Sequence, residues 1–210
     1  LESPIGWQPY TGYPCFSAPD EFPIALQNAG FDLFLTANNH CLDRYTRGAI
    51  RTLHILDSIG ADHIGTYDSK DSFERFYPFI TSIKGIRIAF LNYTYGTNGF
   101  TPHSPLIVNY IDEEKIKKDI FRAKTLSADL IVACLHWGDE YQLLPNKRQE
   151  DLADFLAKEG VQLIIGAHPH VIQPMELRYD EQGNPCALIV YSLGNFISNM
   201  KTRDTVGGAM

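Results

Sequence analysis

Apolar runs and helical periodicity alternate along most of the chain. Three apolar runs have the length of a buried strand, and they cover 32–36, 130–135 and 161–165. Helical spacing, with start and stop signals at its ends, fills the segments 20–29, 43–59, 112–126 and 146–159. Strands that alternate with helices are typical of a parallel sheet buried on both faces. The pattern therefore predicts an α/β protein.

Local signals mark where these helices begin. Asp112 is placed to cap its helix, and Asn146 with Gln149 has the spacing of a capping box. Asp43 or Thr46 caps the helix that ends near residue 59.

Two pairs of short strands interrupt the alternation. The pairs 79–83 with 86–92 and 171–179 with 186–192 each flank a turn and predict β-hairpins. Because hairpins are antiparallel, we expect mixed sheets, two of them packed together. The polar segment 65–77 is predicted to form a loop, and the long loop 94–109 is of a kind that often carries function.

Histidine or asparagine side chains follow each of the three apolar runs. Asn39 and His40 follow the first run, His136 the second, and His168 and His170 the third. The carboxyl ends of parallel strands meet at one edge of a sheet, so we expect these side chains to gather there. Two histidines one residue apart point to opposite sides of the backbone, so each can bind a different ion of a close metal pair.

The gathered side chains have the chemistry of a two-metal centre. Asn39, His136 and His168 offer three ligands for one ion, and His170 serves a second. Imidazole nitrogens with oxygen ligands suit manganese, iron or zinc. Two ions roughly 3.5–4 Å apart can activate a water and hold the attacking and leaving oxygens of a phosphoryl displacement.

His40 adjoins the predicted ligand Asn39. It is placed to protonate a leaving group or to bind a substrate oxyanion. Asp43 either orients the His40 ring or serves as a plain helix cap.

Composition narrows the classes of partner. A net charge of -7 without a cluster of Lys and Arg argues against nucleic acid, although bound metal ions would still allow an anionic substrate. No apolar run approaches the roughly 20 residues of a membrane helix. The four cysteines show no C-x-x-C spacing, and Cys41 and Cys134 are expected to be buried thiols rather than metal ligands.

Four blocks of the sequence resemble the signature blocks of the CapA family, bacterial capsule and poly-gamma-glutamate biosynthesis proteins. The blocks are Ala37-Asn38-Asn39-His40-x-x-Asp43, His136-Trp137-Gly138-Asp139-Glu140-Tyr141, Gly166-Ala167-His168-Pro169-His170-Val171-Ile172-Gln173 and Tyr191-Ser192-Leu193-Gly194-Asn195-Phe196. The family is similar to calcineurin-like metallophosphoesterases, and the resemblance spans nearly the whole chain. It implies a single domain over residues 1–210 with a four-layer αββα sandwich, in which mixed sheets are flanked by helices.

The resemblance also implies roles for individual residues. It assigns Asn39, His136 and His168 to one metal, His170 to the other, His40 to catalysis, and Glu2 to a bridging carboxylate. The family's Gly-Asp block, which supplies an aspartate ligand, belongs ahead of Leu1, so we expect the domain to be incomplete at its N-terminus. The second metal would then have only His170 and Glu2.

Three further residues are candidates for substrate binding. Trp137 and Tyr141, beside His136, either line a substrate groove or pack in the core. Asn195 either reaches the site or forms a turn.

The resemblance favours a metal-dependent hydrolase in capsule biosynthesis, in which activated water attacks a phosphoester or an amide. Its implied partners are a polyanionic capsule polymer or a small phosphoester or amide substrate, and a capsule-synthesis membrane complex. Its implied location is extracytoplasmic, in the cell envelope or anchored to the membrane. The alternative is a non-catalytic component of polymer binding or export that retains the fold.

Overall fold

The computed structural model describes residues 10–208, which form two compact units. The first comprises 10–77 with Asn92–Tyr110, and the second comprises Pro78–Leu91 with 111–208. Glu2, the carboxylate ligand implied by the resemblance, lies outside the described residues. The single domain over 1–210 stays a prediction.

The first unit contains short helices and two two-stranded sheets. Its elements are α1 (Glu21–Asn28), β1 (Leu33–Leu35), α2 (Tyr45–Ser58), β2 (Asp62–Ile64), β3 (Thr66–Tyr67), α3 (Lys70–Phe76) and β6 (Ile107–Val108). β1 pairs with β2 in parallel, and β3 pairs with β6 in antiparallel orientation. The predicted strand at 32–36 and the predicted helix at 43–59 are both present, as β1 and α2.

The start of α2 differs from the prediction. The residue before its first turn is Arg44, whose side chain makes no capping hydrogen bond. Thr46 Oγ1 instead accepts a hydrogen bond from the His103 backbone N–H at 2.8 Å, and Asp43 bonds to His40. Neither predicted cap therefore forms; α2 is held by its buried face, where Leu53 and Leu56 are almost fully buried.

The predicted loop over residues 65–77 is wrong. Ser69 accepts a hydrogen bond from the Ser72 backbone N–H and starts α3. The Phe73 ring of this helix packs edge-on against Tyr67 of β3, with ring centroids 5.2 Å apart. Ser69 is a typical N-cap residue, so the start of this helix could have been predicted. The helix spans only Lys70–Phe76, however, and its apolar contact is with a short strand that the polar sequence did not indicate.

The second unit is built on a six-stranded mixed sheet with the order β4-β5-β7-β8-β10-β9. Its strands are β4 (Phe79–Ile83), β5 (Ile86–Thr94, of which 86–91 belong to this unit), β7 (Leu130–His136), β8 (Leu163–Ala167), β9 (Met175–Tyr179) and β10 (Pro185–Val190). The helices are α4 (Glu113–Thr125), α5 (Lys147–Lys158) and a 3-10 helix at Arg203–Thr205. Both predicted hairpins are confirmed, because β4–β5 and β9–β10 are antiparallel.

Strand pairing corrects one prediction about the sheets. β7 and β8 are parallel neighbours, as predicted, but β1 pairs with β2 in a separate two-stranded sheet. The three apolar runs therefore do not share one parallel sheet. Their apolar character showed that they were buried strands but contained no information on which strands pair.

Close packing fixes the carboxyl ends of β7 and β8. Trp137 Nε1 donates a hydrogen bond to the Tyr191 carbonyl oxygen at 2.9 Å. A β-carbon at Gly166 would lie 1.9 Å from that oxygen and 2.3 Å from Trp137 Nε1. Only glycine fits there without displacing backbone, and this packing sets the position from which the chain enters the double-histidine turn.

The predicted caps of α4 and α5 are both present. Asp112 accepts from the Lys115 backbone N–H at 2.8 Å, and the Asn146–Gln149 capping box is complete. Over the described part of the chain, no helix has both the length and the apolar character needed to cross a membrane.

Candidate functional site

A candidate metal centre lies where β7 and β8 end. Glu140, His168 and His170 each offer a ligand atom, and these atoms lie within 4.8 Å of one another. The His136 ring centroid is 4.8 Å from that of His168, which is 6.1 Å from that of His170. The structure thus brings together the three histidines predicted as ligands, and it adds Glu140, which the sequence reasoning did not select.

The loops that carry these ligands are joined by main-chain hydrogen bonds. Trp137 N–H donates to the Ala167 carbonyl at 3.0 Å, and Tyr141 N–H donates to the Pro169 carbonyl at 2.8 Å. The parallel pairing of β7 and β8 therefore continues past the ends of the strands. It holds the loop bearing Glu140 beside the turn bearing His168.

The backbone at the centre is held in an unusual conformation. His168 has φ 105°, His170 has φ 61° and Tyr141 has φ 65°, all values that favour glycine. Such residues cost on the order of 1–3 kcal/mol each and persist where the surroundings over-determine them. Strain of this kind concentrates at functional sites, which supports a role for these side chains beyond packing.

This strain gives a prediction about stability in the absence of metal. At His168, we expect the glycine variant to be more stable than the alanine variant by about 1–2 kcal/mol, because glycine tolerates φ 105°. His136 lies in β7, where the order should reverse and alanine should be favoured by about 0.5–1 kcal/mol. Urea unfolding of the four variants measures both differences, and the same order at both positions would contradict this account of the turn.

The His170 ring is held on two sides. The Tyr141 ring stacks on it at a centroid distance of 5.8 Å and an interplanar angle of 22°. Asn195 Oδ1 lies 2.9 Å from His170 Nδ1. Tyr141 is 52% exposed, and its place in a substrate groove stays a prediction.

Of the two alternatives given for Trp137, a groove residue or a core residue, its contacts favour the core. Its side chain is only 2% exposed, its Nε1 bonds the Tyr191 carbonyl, and its ring stacks on Tyr191. The aromatic residue next to His136 therefore packs in the core. Alternation along the extended backbone explains why: His136 and Trp137 point to opposite faces.

The first unit contains a candidate acid–base pair. His40 Nδ1 lies 2.7 Å from Asp43 Oδ2, and the Asp43 side chain is 1% exposed. The same carboxylate oxygen accepts from the Phe16 backbone N–H at 2.8 Å, and the Phe16 ring packs edge-on against His40 at 4.7 Å. Of the two interpretations offered for Asp43, its contacts favour the orientation of His40 over a helix cap.

Asn39 is buried beside this pair. Its side chain is 5% exposed, and its Nδ2 donates a hydrogen bond to Asn98 Oδ1 at 3.2 Å. Asn98 belongs to the 94–109 loop, which is of a kind that often carries function. Asn98 itself is not among the residues predicted for the site. The assignment of Asn39 to the same ion as His136 and His168 stays a prediction.

Cys134, in β7, is a buried thiol, as predicted. Burial raises the pKa of the Cys134 thiol to about 12, so this side chain stays protonated at neutral pH. A thiol is a poor metal ligand compared with the thiolate. The donor atoms that lie together at the candidate centre are two imidazole nitrogens and a carboxylate oxygen.

Comparison with solved structures identifies the fold of the chain. The NAD nucleotidase NadN of Haemophilus influenzae superposes with a TM-score of 0.53 at 16% identity, over 80% of this chain and 35% of that one. The chain shares its fold with this nucleotidase, and the predicted α/β class, with a mixed sheet flanked by helices, is confirmed.

The chain belongs to the bacterial capsule synthesis protein family PGA_cap, whose model matches residues 1–200. It is 32% identical over 202 residues to the capsule biosynthesis protein CapA of Bacillus anthracis, covering 90% of this chain and 46% of that protein. It is 31% identical over 200 residues to the PGA biosynthesis protein CapA of Bacillus subtilis strain 168, covering 86% and 47%. The predicted family is confirmed, and the chain spans about half the length of these relatives.

Proposed function

We propose that this chain is the metallophosphoesterase-type part of a capsule biosynthesis protein, and that it hydrolyses a phosphoester or an amide with divalent metal ions. The observation that carries the proposal is the cluster of His168, His170 and Glu140 at the ends of β7 and β8. A component that serves only as a scaffold has no need of strained backbone at two histidines.

The donor set fits a divalent transition metal. Imidazole nitrogen with carboxylate oxygen suits zinc, iron and manganese, and donor atoms within 4.8 Å need only small rotations to share one ion. His168 and Glu140 would hold one ion with help from His136, and His170 would hold a second or complete the first. Asn39 and Glu2 remain the proposed oxygen ligands from elsewhere in the chain.

Bound metal would supply Lewis acidity and a water nucleophile at neutral pH. The residues of this chain supply the proton transfer. Asp43 Oδ2 accepts a hydrogen bond from His40 Nδ1 and orients the ring, so that Nε2 of the protonated ring would donate its proton to the leaving-group oxygen or nitrogen. Burial of Asp43 keeps its carboxylate from exchanging this bond for water.

The names of the relatives support a proposal for the substrate and the setting. Their names refer to capsule and PGA biosynthesis, so we propose a cell-envelope location and a polyanionic capsule polymer or its building blocks as the substrate. A membrane complex for capsule synthesis is the proposed partner. The chain's own charge of -7 makes metal cations the proposed means of attracting a polyanion.

Turnover assays on the chain loaded with zinc or manganese test the proposal. We expect metal-dependent hydrolysis of a phosphodiester, a phosphomonoester or a γ-glutamyl amide, and loss of that hydrolysis on addition of a chelator. Bound metal with no turnover of any of the three bond types would contradict hydrolysis. It would favour a non-catalytic role in polymer binding or export.

A further inference from the structure

We propose that Asn195 is a positioning residue that holds His170 in the Nδ1-protonated tautomer, so that the lone pair on Nε2 faces the metal. The consequence for metal binding rests on the proposed function. The effect on the tautomer is a property of the chain alone and can be measured without any ion.

His170 is the donor in its hydrogen bond with Asn195. Asn195 Oδ1 lies 2.9 Å from His170 Nδ1. A carboxamide oxygen only accepts hydrogen bonds, so the proton of this bond belongs to Nδ1. Neutral imidazole carries one N–H, and Nε2 is therefore left with its lone pair.

The orientation of the Asn195 amide follows from the contacts of its Nδ2. Its Nδ2 lies 2.9 Å from the Thr205 carbonyl oxygen and 3.2 Å from the His170 carbonyl oxygen. Both partners are acceptors, so only the nitrogen end of the amide can face them. A flip of the amide would lose both bonds, and the surroundings thus fix Oδ1 toward His170.

Backbone hydrogen bonds hold Asn195 in place beside His170. The Asn195 backbone N–H donates to the Gly207 carbonyl at 3.1 Å, and Gly194 bridges Gly208 in antiparallel fashion. These bonds fasten Asn195 to the 203–208 segment on one side of His170. Tyr141 stacks on the His170 ring and limits its rotation.

Together these contacts assign Asn195 a role different from the substrate binding predicted for it. Its amide is engaged with His170, Thr205 and the Met200 sulfur, which is 3.6 Å from Nδ2. Outer partners of this type orient a metal-binding imidazole, and removing one costs typically about 10–100-fold in metal affinity.

The test compares Asn195→Ala with Asn195→Asp by ¹⁵N NMR of the histidine side chains in the metal-free chain, with His170 assigned through His170→Gln. We expect the Nδ1–H tautomer in the wild type. We also expect it in Asn195→Asp, which loses the two Nδ2 hydrogen bonds to carbonyl oxygens but retains an acceptor for Nδ1–H. Asn195→Ala should shift the population toward Nε2–H, the form favoured in water. Titration with Zn²⁺ should then show a loss of about 10–100-fold in affinity for Asn195→Ala.

Thr202→Val is the matched control. It removes the 2.6 Å hydroxyl contact between Thr202 and Thr205, which perturbs the same segment without touching His170. We expect the wild-type tautomer and zinc affinity in this variant. An unchanged tautomer in Asn195→Ala, or an equal change in Thr202→Val, would overturn the inference. Failure of the wild type to bind zinc would instead overturn the proposed function, while the NMR spectra still decide the role of Asn195.

Discussion

Replacing His168 by alanine is expected to lower the affinity of the chain for Zn²⁺ or Mn²⁺ by at least about 100-fold. Removing a residue that hydrogen-bonds to a metal ligand typically lowers the metal affinity by about 10–100-fold. Removing the ligand itself should lower the metal affinity at least as much. His168 is buried and offers its ligand atom within 4.8 Å of those of His170 and Glu140, so its removal leaves an ion at this centre with fewer ligands. Elemental analysis and competition titration with a chelator measure the loss.

The number of ions separates two arrangements of this centre. If the dinuclear hypothesis holds, His168→Ala and His170→Ala each remove one ion, and the two remaining ions differ. If Glu140, His168 and His170 share a single ion, either variant leaves the chain without bound metal. His54→Ala is the control, because the His54 side chain is 61% exposed and pairs with Asp68 in the first unit. Equal metal binding by wild type and His168→Ala would contradict the assignment.

Replacing His40 by glutamine is expected to reduce turnover by about 100- to 10,000-fold while metal content stays unchanged. Removal of a general acid has an effect of this size. Asp43→Asn should lower turnover as well, because an amide cannot stabilise the imidazolium as a buried carboxylate does. The measurements are turnover of the best substrate and metal content on the same samples.

The control for this pair is again His54→Ala, for which we expect turnover within a factor of about two. Turnover by His40→Gln close to that of the wild type would show that proton transfer comes from another group. A loss of metal in the same variant would place His40 among the ligands instead.

The sequence predicted best what depends on near neighbours in the chain. The Asn146–Gln149 capping box, the Asp112 cap and the two hairpins depend on residues a few positions apart, and all are present. The placement of β1 failed because strand pairing depends on contacts that are distant in sequence. The same limit applies to α3, whose packing partner Tyr67 lies in a strand of two residues.

The candidate site was predictable where residue chemistry is distinctive. Histidines at the ends of apolar runs are rare enough to stand out, and three of them do lie together. Glu140 did not stand out, because an exposed carboxylate is common on any protein surface. Trp137 and Asn195 had alternatives that only contacts could decide, and burial and hydrogen bonding favour packing for the first and His170 for the second.

The strained turn at the centre shows why the site is not optimised for stability. Left-handed backbone at His168 and His170 is retained where glycine would be tolerated better. The close packing at Gly166 and the main-chain bonds between the two loops hold this conformation before any ligand binds. Because the geometry is formed in advance, less conformational entropy is lost in ordering the metal-binding side chains when an ion binds.

The central claim is that the turn after β8 holds metal. The most direct measurement is anomalous X-ray diffraction from crystals of the chain grown with zinc or manganese. We expect an anomalous peak within ligand distance of His168, with His170 or Glu140 contacting the same peak or a second one beside it. A fully occupied metal peak elsewhere, with none at His168, would contradict it.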